Sequence, residues 1–134
     1  MSNVLQRYRN PDCRECKLHS TADYVCLLGN GRVPNAVMAI GEAPGAREDD
    51  RGKPFVGQSG QKLEKLAEAA GWDIRNEWFI TNAVHCRPPD NRKPSKGEIK
   101  ACGQWLRLEV DFVKPKWAIL LGATAVAATL GKGY

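Results

Sequence analysis

The five cysteines carry the first chemistry that the sequence offers. Cys13 and Cys16 form a C-x-x-C motif in a polar segment, Cys86 ends an apolar run, and Cys102 lies within a helical pattern. The polar segment offers no core to fill, so metal binding by thiolates explains this motif better than burial does. Four thiolates can hold zinc or an iron–sulfur cluster. Their wide separation along the chain favours the cluster and leaves zinc as the alternative. Cys26 is flanked by aliphatic residues and is expected to be a small buried hydrophobe.

A second set of reactive side chains lies in the polar loop that follows the apolar run V-M-A-I. The loop begins G-E-A-P-G at residues 41–45, where Glu42 sits between the run and a stiff turn. A carboxylate tucked into such a position needs a function or a partner, which makes Glu42 a candidate catalytic residue. Glu48 is a second candidate. Asp49 and Asp50 are expected on the surface, as in most acidic runs.

Four further positions have residue types suited to a polar pocket or its surroundings. Phe55 lies in a glycine-flanked loop, where an aromatic ring either plugs a core or stacks on a planar ligand. Asn82 lies in a β-like run that disfavours asparagine, so its amide either caps a bulge or points into a pocket. Arg87 and Arg92 follow Cys86 in a proline-rich basic loop.

Three apolar runs predict the strands that would position these residues, at 37–41, 78–84 and 117–122. A helical pattern lies between each run and the next, and an Ala-rich stretch follows the third run. The order of strands alternating with helices is typical of an α/β fold with a mostly parallel sheet. In such sheets ligands bind beyond the carboxyl ends of the strands, where Glu42 and Asn82 would lie.

Two helical patterns have recognisable ends. An apolar stripe over residues 63–70 stops before Gly71, a residue suited to left-handed geometry at a helix end. Ser95 and Glu98 form an S-x-x-E capping box that starts the second helix. Its expected apolar stripe is Ile99, Cys102, Leu106 and Val110.

Length and composition limit the classes of protein that this chain can be. The sequence has 134 residues, with 20 Lys and Arg against 15 Asp and Glu, so its formal charge is +5. It is expected to form one domain over residues 1–134, with a cysteine-containing segment at 1–35 packed on it. No apolar run is long enough to span a bilayer and no secretory signal is evident, which predicts a reducing, cytoplasmic location without a membrane partner.

The motifs, taken in order, resemble those of the family 4 uracil-DNA glycosylases, the iron–sulfur branch of that superfamily. The resemblance is carried by C-R-E-C at Cys13, G-E-A-P-G at Gly41, E-D at Glu48, G-K-P-F-V-G at Gly52, T-N at Thr81 and C-R-P-P at Cys86. It extends to Cys102 and covers nearly the whole chain.

The resemblance implies a three-layer αβα sandwich around a central, mostly parallel sheet, and hydrolytic release of uracil from single- or double-stranded DNA. It also implies a nucleoid-associated location within the cytoplasm. It implies a 4Fe-4S cluster on Cys13, Cys16, Cys86 and Cys102. Glu42 and Glu48 would position the attacking water. The implied uracil-binding residues are Gly41, Ala43, Phe55 and Asn82, and the implied DNA contacts are Gln58, Ser59, Arg87 and Arg92.

The sequence also departs from the family pattern. Family members carry a late H-P-S motif after a fourth strand, and neither occurs before Tyr134. His85 is no substitute, because it lies beside Cys86 where relatives often carry lysine. Loss of one such donor typically lowers a rate about 10² to 10³-fold. The alternatives are therefore a weakened glycosylase, a derived module that binds DNA or a protein partner without catalysis, and a structural metal protein with a vestigial pocket.

Overall fold

A parallel three-stranded sheet forms the centre of the computed structural model, which describes residues 4–131. The strands are β1 (Val37–Gly41), β2 (Phe79–Asn82) and β3 (Trp117–Leu120), in the spatial order β2-β1-β3. Gly41 pairs with Asn82 in the register of β1 and β2. The last residues of the two neighbouring strands therefore meet at one edge of the sheet.

Helices and short 3₁₀ turns make up the rest of the described chain. The α-helices are α1 (Ala46–Arg51), α2 (Gln58–Ala69), α3 (Ile74–Glu77), α4 (Lys96–Val113) and α5 (Ala123–Leu130). The 3₁₀ turns are Val4–Tyr8, Lys17–Ser20 and Pro89–Asn91. No helix within residues 4–131 combines the length and apolarity that crossing a bilayer requires.

The side chains of β1 alternate between two apolar cores, as the pleat of a strand requires. Met38 and Ile40 pack with residues of α4 and α5 on one face of the sheet. Val37 and Ala39 pack with residues of α2 and α3 on the other face. This arrangement of two helical layers around one sheet confirms the predicted αβα sandwich, with three strands in the described residues.

The N-terminal segment contributes to the first of these cores. Leu5 and Cys26 are buried in it, and Cys26 is 1% exposed, as expected for a small buried hydrophobe. Leu18 is buried in a third cluster together with Cys86 and Cys102. The segment therefore lies against the sheet and α4.

The predicted element ends are confirmed in part, because β2 and β3 stop before the predicted limits of 84 and 122. β1 has the predicted limits, Gly71 has a positive φ of 92°, and Ser95 and Glu98 form both hydrogen bonds of the capping box. The predicted apolar stripe of α4 is wrong at one position. Val110 is 37% exposed, whereas its neighbour Glu109 is fully buried.

Helix α1 was not predicted, because its sequence A-R-E-D-D-R has no apolar periodicity. Gly45 caps its start and Gly52 caps its end, and the φ of 68° at Gly52 lies in the left-handed region. A hydrogen bond from the Gly45 N–H to the Glu48 carboxylate closes its first turn. The helix thus depends on its own acidic side chains rather than on an apolar face.

Candidate functional site

A cavity of about 780 Å³ opens where β1 and β2 end. Its volume lies within the range of about 300 to 1,000 Å³ that is usual for small-molecule sites. It brings together eight of the residues singled out in the sequence, namely Gly41, Glu42, Ala43, Glu48, Phe55, Gln58, Ser59 and Asn82. Sequence positions up to 41 residues apart, from 41 to 82, are therefore joined in one site.

Glu42 is the first residue after β1 and is exposed to the cavity. The expectation that its carboxylate is tucked against the turn is therefore wrong. Its Oε2 accepts a hydrogen bond of 2.5 Å from the hydroxyl of Thr124, which is 2% exposed in the first turn of α5. The third βα unit thus orients a carboxylate that the first unit supplies. No pattern in the sequence pointed to Thr124.

Glu48 has its carboxylate occupied by backbone groups. Oε1 accepts the N–H of Gly45, and Oε2 accepts those of Val56 and Gly57 at 2.9 and 2.7 Å. A carboxylate with three such donors is well satisfied as an anion and is held in place. Glu48 therefore fastens the loop that precedes α2 to helix α1, along the wall of the cavity.

Phe55 projects into the cavity from a strained backbone. Its φ is 58°, which is uncommon for a residue other than glycine. Arg75 of α3 donates to the carbonyls of Pro54 and Phe55, with 3.1 Å to the first. The Phe55 carbonyl also lies where any Cβ on Gly60 would be, which explains glycine at that position. No pattern in the sequence indicated this role of Arg75.

Asn82 ends β2 and is 5% exposed, and its side chain has no hydrogen-bond partner within residues 4–131. It lies against Gly41 on the neighbouring strand. A Cβ added to Gly41 would come within 2.7 Å of both the Asn82 Oδ1 and the Phe55 Cζ. Glycine at position 41 therefore allows the amide and the ring to approach each other.

Asp49 is 3% exposed, so the expectation that it lies on the surface is wrong, whereas Asp50 is exposed as expected. The Asp49 Oδ1 accepts the N–H groups of Asp23 and Tyr24 at 3.0 and 2.8 Å. These bonds join helix α1 to the N-terminal segment. A carboxylate buried for this purpose has the same sequence signature as a solvated one.

The two basic residues predicted to contact DNA lie outside the residues that line the cavity. Arg87 donates to the Asn91 Oδ1 at 2.8 Å. Arg92 forms two parallel hydrogen bonds to Glu98, at 2.8 and 2.7 Å. This pairing lowers the pKa of Glu98 to about 2, against the opposing effect of burial. The pair anchors the basic loop to the start of α4.

The five cysteines come together at a second place, which shares no lining residue with the first cavity. Cys13, Cys16, Cys26, Cys86 and Cys102 all line a second, much smaller cavity. Burial raises the pKa of both Cys26 and Cys86 to about 12. Within residues 4–131, no three His, Cys, Asp or Glu side chains converge as ligands of a single metal ion.

Backbone N–H groups point at two of these sulfurs. The Cys26 N–H lies 3.3 Å from the Cys86 Sγ, and the His85 N–H lies 3.1 Å from the Cys102 Sγ. The His85 ring also contacts the Cys102 Sγ, through Nδ1 at 3.3 Å. Such donors stabilise negative charge on sulfur.

Comparison with known proteins gives consistent matches. Residues 28–133 match the model of the uracil DNA glycosylase superfamily. The chain is 40% identical over 119 residues to a type-4 uracil-DNA glycosylase of Pyrobaculum aerophilum, covering 89% of this chain and 60% of the relative. It is 40% identical over 116 residues to the type-4 enzyme of Thermotoga maritima, covering 86% of this chain and 59% of that relative.

A more distant match is a type-5 uracil-DNA glycosylase of Thermus thermophilus. It is 33% identical over 116 residues, which cover 76% of this chain and 52% of the relative. The chain therefore spans about 50 to 60% of the length of the relatives described here.

Proposed function

The chain belongs to the uracil DNA glycosylase superfamily, and from this premise we propose that it hydrolyses the N-glycosidic bond of uracil in DNA. The observation that carries the proposal is the convergence of Glu42, Phe55 and Asn82 on one cavity where two parallel strands end. A carboxylate, an aromatic ring and an amide are the groups needed to activate water and to hold a planar base. The type-4 names of the relatives agree with this substrate.

In the proposed reaction the bond between C1′ of the deoxyribose and N1 of uracil breaks, and both its electrons leave with the base. Positive charge develops on the sugar and negative charge on uracil. Glu42 orients a water molecule toward C1′ and accepts its proton as the new C1′–O bond forms. The proton then passes to the uracil anion or to solvent. Thr124 supports this role because its hydroxyl fixes one oxygen of the carboxylate.

We assign Glu48 a different part from Glu42. Its two oxygens already accept three backbone N–H groups, so it contributes by holding the loop at residues 56–57 against α1. Water positioning by Glu48 would then act through this loop, with Glu42 as the carboxylate that contacts the water. The Ala43 backbone, in the turn after Glu42, also lines the cavity and is proposed to contact the base.

Recognition of the base is assigned to Asn82 and Phe55. The Asn82 amide can donate to O4 of uracil and accept from N3–H, while cytosine presents the reverse pattern. A cytosine would leave these buried groups unpaired, which discriminates against it. The Phe55 ring is proposed to stack on the face of the base. Gly41 supports the pairing of the two side chains, because it leaves room for both.

The DNA must present its uracil outside the helix, because a base within the duplex cannot reach the cavity. Flipping costs least for a mismatched or single-stranded base, so both kinds of DNA are proposed substrates. Gln58 and Ser59, at the start of α2, line the cavity and are placed to contact the flipped nucleotide. We propose that binding of the flanking phosphates is favoured by Arg87, by Arg92 and by the net charge of +5.

We assign a 4Fe-4S cluster to Cys13, Cys16, Cys86 and Cys102, with zinc as the alternative. Each ligand of such a cluster binds a different iron atom, whereas zinc ligands must converge on one ion. Side chains that line one cavity without forming a single-ion site fit the first case better. When bound, the cluster would cross-link the N-terminal segment to the loop after β2 and to α4.

The proposal is tested with anaerobically purified protein of measured iron, sulfide and zinc content. Single-stranded and U·G oligonucleotides are incubated with it, and abasic sites are counted after alkaline cleavage. Uracil release is expected, with a loss of about 10²-fold or more in Glu42→Ala and Asn82→Ala. Asn76→Ala, an exposed asparagine on α3, serves as the matched control.

Two outcomes would overturn parts of this assignment. Full activity in both cavity variants would refute the site. Binding of uracil-containing DNA without any release would mean that this chain recognises the lesion but does not cleave it.

A further inference from the structure

We propose that His85, held by Glu109, donates a hydrogen bond to the Cys102 sulfur and raises the reduction potential of the cluster. The inference rests on the cofactor assigned above and adds two residues to its surroundings. Neither residue lines the uracil cavity, and both side chains are fully buried. A buried ion pair that the proposed reaction does not use requires another explanation.

Three polar groups contact the Glu109 carboxyl group. Its Oε2 accepts the Gly29 N–H at 2.6 Å, and the Thr81 hydroxyl lies 2.9 Å from both oxygens. Its Oε1 lies 2.7 Å from the His85 Nε2. The amide N–H donates to the Glu109 carboxyl group, and the Thr81 hydroxyl, which also lies 3.4 Å from the His85 Nε2, donates to one of its oxygens. The Oε1 atom at 2.7 Å is an acceptor for the N–H of the His85 Nε2.

The other ring nitrogen of His85 faces Cys102. Nδ1 lies 3.3 Å from Sγ, and the backbone N–H of His85 lies 3.1 Å from the same atom. A metal-bound thiolate has no proton to give, so the ring must donate to it. Cys102 thereby receives two N–H donors from one residue, while Cys86 receives the single Cys26 N–H at 3.3 Å.

These donors change the free energy of adding an electron to the cluster. Hydrogen bonds to the sulfur ligands are among the determinants of iron–sulfur reduction potentials. They stabilise the more negative, reduced state more than the oxidised one. Because the ring is fully buried, water does not compete for its donors. His85 is thus a positioning and tuning residue rather than a metal ligand.

The test compares reduction potentials of the purified holoprotein. His85→Leu combined with Glu109→Leu removes both partners and leaves no unpaired buried charge. His19→Gln is the matched control, since His19 lines the same cavity but bonds the Cys16 carbonyl at 2.7 Å rather than a sulfur. In the double variant the ratio of reduced to oxidised cluster at a fixed potential is expected to fall about tenfold, equivalent to about 59 mV for one electron.

A potential in the double variant equal to that of the parent and of His19→Gln overturns the inference. If the double variant does not assemble, His19→Gln is labelled with histidine that carries ¹⁵N only in its ring, and its reduced cluster is examined by electron–nuclear double resonance. A nitrogen coupling from His85 is expected, and its absence overturns the inference. Parent protein with zinc and no iron overturns the cofactor assignment and the inference together, whereas uracil release, measured separately, tests the glycosylase proposal.

Discussion

Thr124→Val is the sharpest test of how the carboxylate of Glu42 is oriented. The substitution keeps the volume of the side chain and removes the hydroxyl that donates to the Glu42 Oε2 at 2.5 Å. Thr124 is buried and does not line the cavity, so substrate should not touch it. The variant is therefore expected to lower the rate of uracil release with little change in DNA affinity.

The size of the effect follows from the chemistry of this one hydrogen bond. A hydrogen bond to a charged group contributes about 1.5 to 3 kcal/mol. Glu42 is exposed, so water replaces part of the lost interaction and the lower end of this range applies. About 1.4 kcal/mol corresponds to a tenfold lower rate. Glu42→Gln, which removes the proposed general base, is expected to lower the rate about 10² to 10⁴-fold.

Single-turnover uracil release at saturating protein measures the chemical step without product dissociation. Thr129→Val is the matched control, because the Thr129 hydroxyl bonds the Ala125 carbonyl of the same helix, at 2.8 Å. Thr124→Ser retains the hydroxyl and is expected to recover most of the rate. The three variants differ only in α5.

A parental rate in Thr124→Val would refute the reasoning if Glu42→Gln is inactive, because the carboxylate would then work without its buried partner. Equal losses in Thr124→Val and Thr129→Val would instead identify a general effect on helix α5. A weaker DNA affinity with an unchanged single-turnover rate would place Thr124 in binding rather than in orientation.

Three further predictions concern the surroundings of the cavity. Gly41→Ala is expected to lower single-turnover uracil release about 10²-fold, because its Cβ would lie 2.7 Å from the amide and the ring that meet there. Asp49→Asn is expected to speed proteolysis of the N-terminal segment, since it weakens two hydrogen bonds to that segment, while exposed Asp50→Asn leaves it unchanged. The depressed pKa of Glu98 means that its carboxylate stabilises the fold above the ordinary pKa of 4.5. This stability is lost as the pH falls toward 2, so Arg92→Gln should lower the urea midpoint at pH 7 and progressively less below pH 4.5. Uracil release at the parental rate in Gly41→Ala would contradict the first prediction, and equal proteolysis of the two aspartate variants would contradict the second. The third would be contradicted if Arg92→Gln lowered the urea midpoint by the same amount across this pH range.

The sheet and the main helix starts could be predicted because their causes are local. A run such as V-M-A-I-G is buried on both faces and has no other stable use in a folded chain. The capping box at Ser95 and Glu98 lies within four consecutive residues. The burial of Glu109 has no local cause, because its partner His85 is 24 positions away. A glutamate within a helical pattern is usually a surface residue, which is why the stripe was extended to Val110 instead.

The residues of the candidate site also differ in whether a local sequence pattern could reveal them. Glu42 and Asn82 could be found because each lies where an apolar run ends, and parallel strands bring such ends together. Thr124 is 82 positions from Glu42, and Arg75 is 20 positions from the Phe55 carbonyl that it holds. Their roles depend on how α3 and α5 pack. Packing of that kind has no spacing signature in the sequence.

Helix α1 connects the cysteine-rich segment to the cavity through two adjacent side chains. Glu48 and Asp49 leave the helix about 100° apart, so one carboxylate turns to the loop before α2 and the other to the N-terminal segment. Tyr24 in that segment also packs against Gly52, where a Cβ would lie 2.5 Å from its ring. With only six residues and little apolar surface of its own, α1 takes its position from both neighbours. A continuous series of hydrogen bonds therefore runs from the N-terminal segment, through Asp49 and Glu48 of α1, to the loop at residues 56–57 beside the cavity.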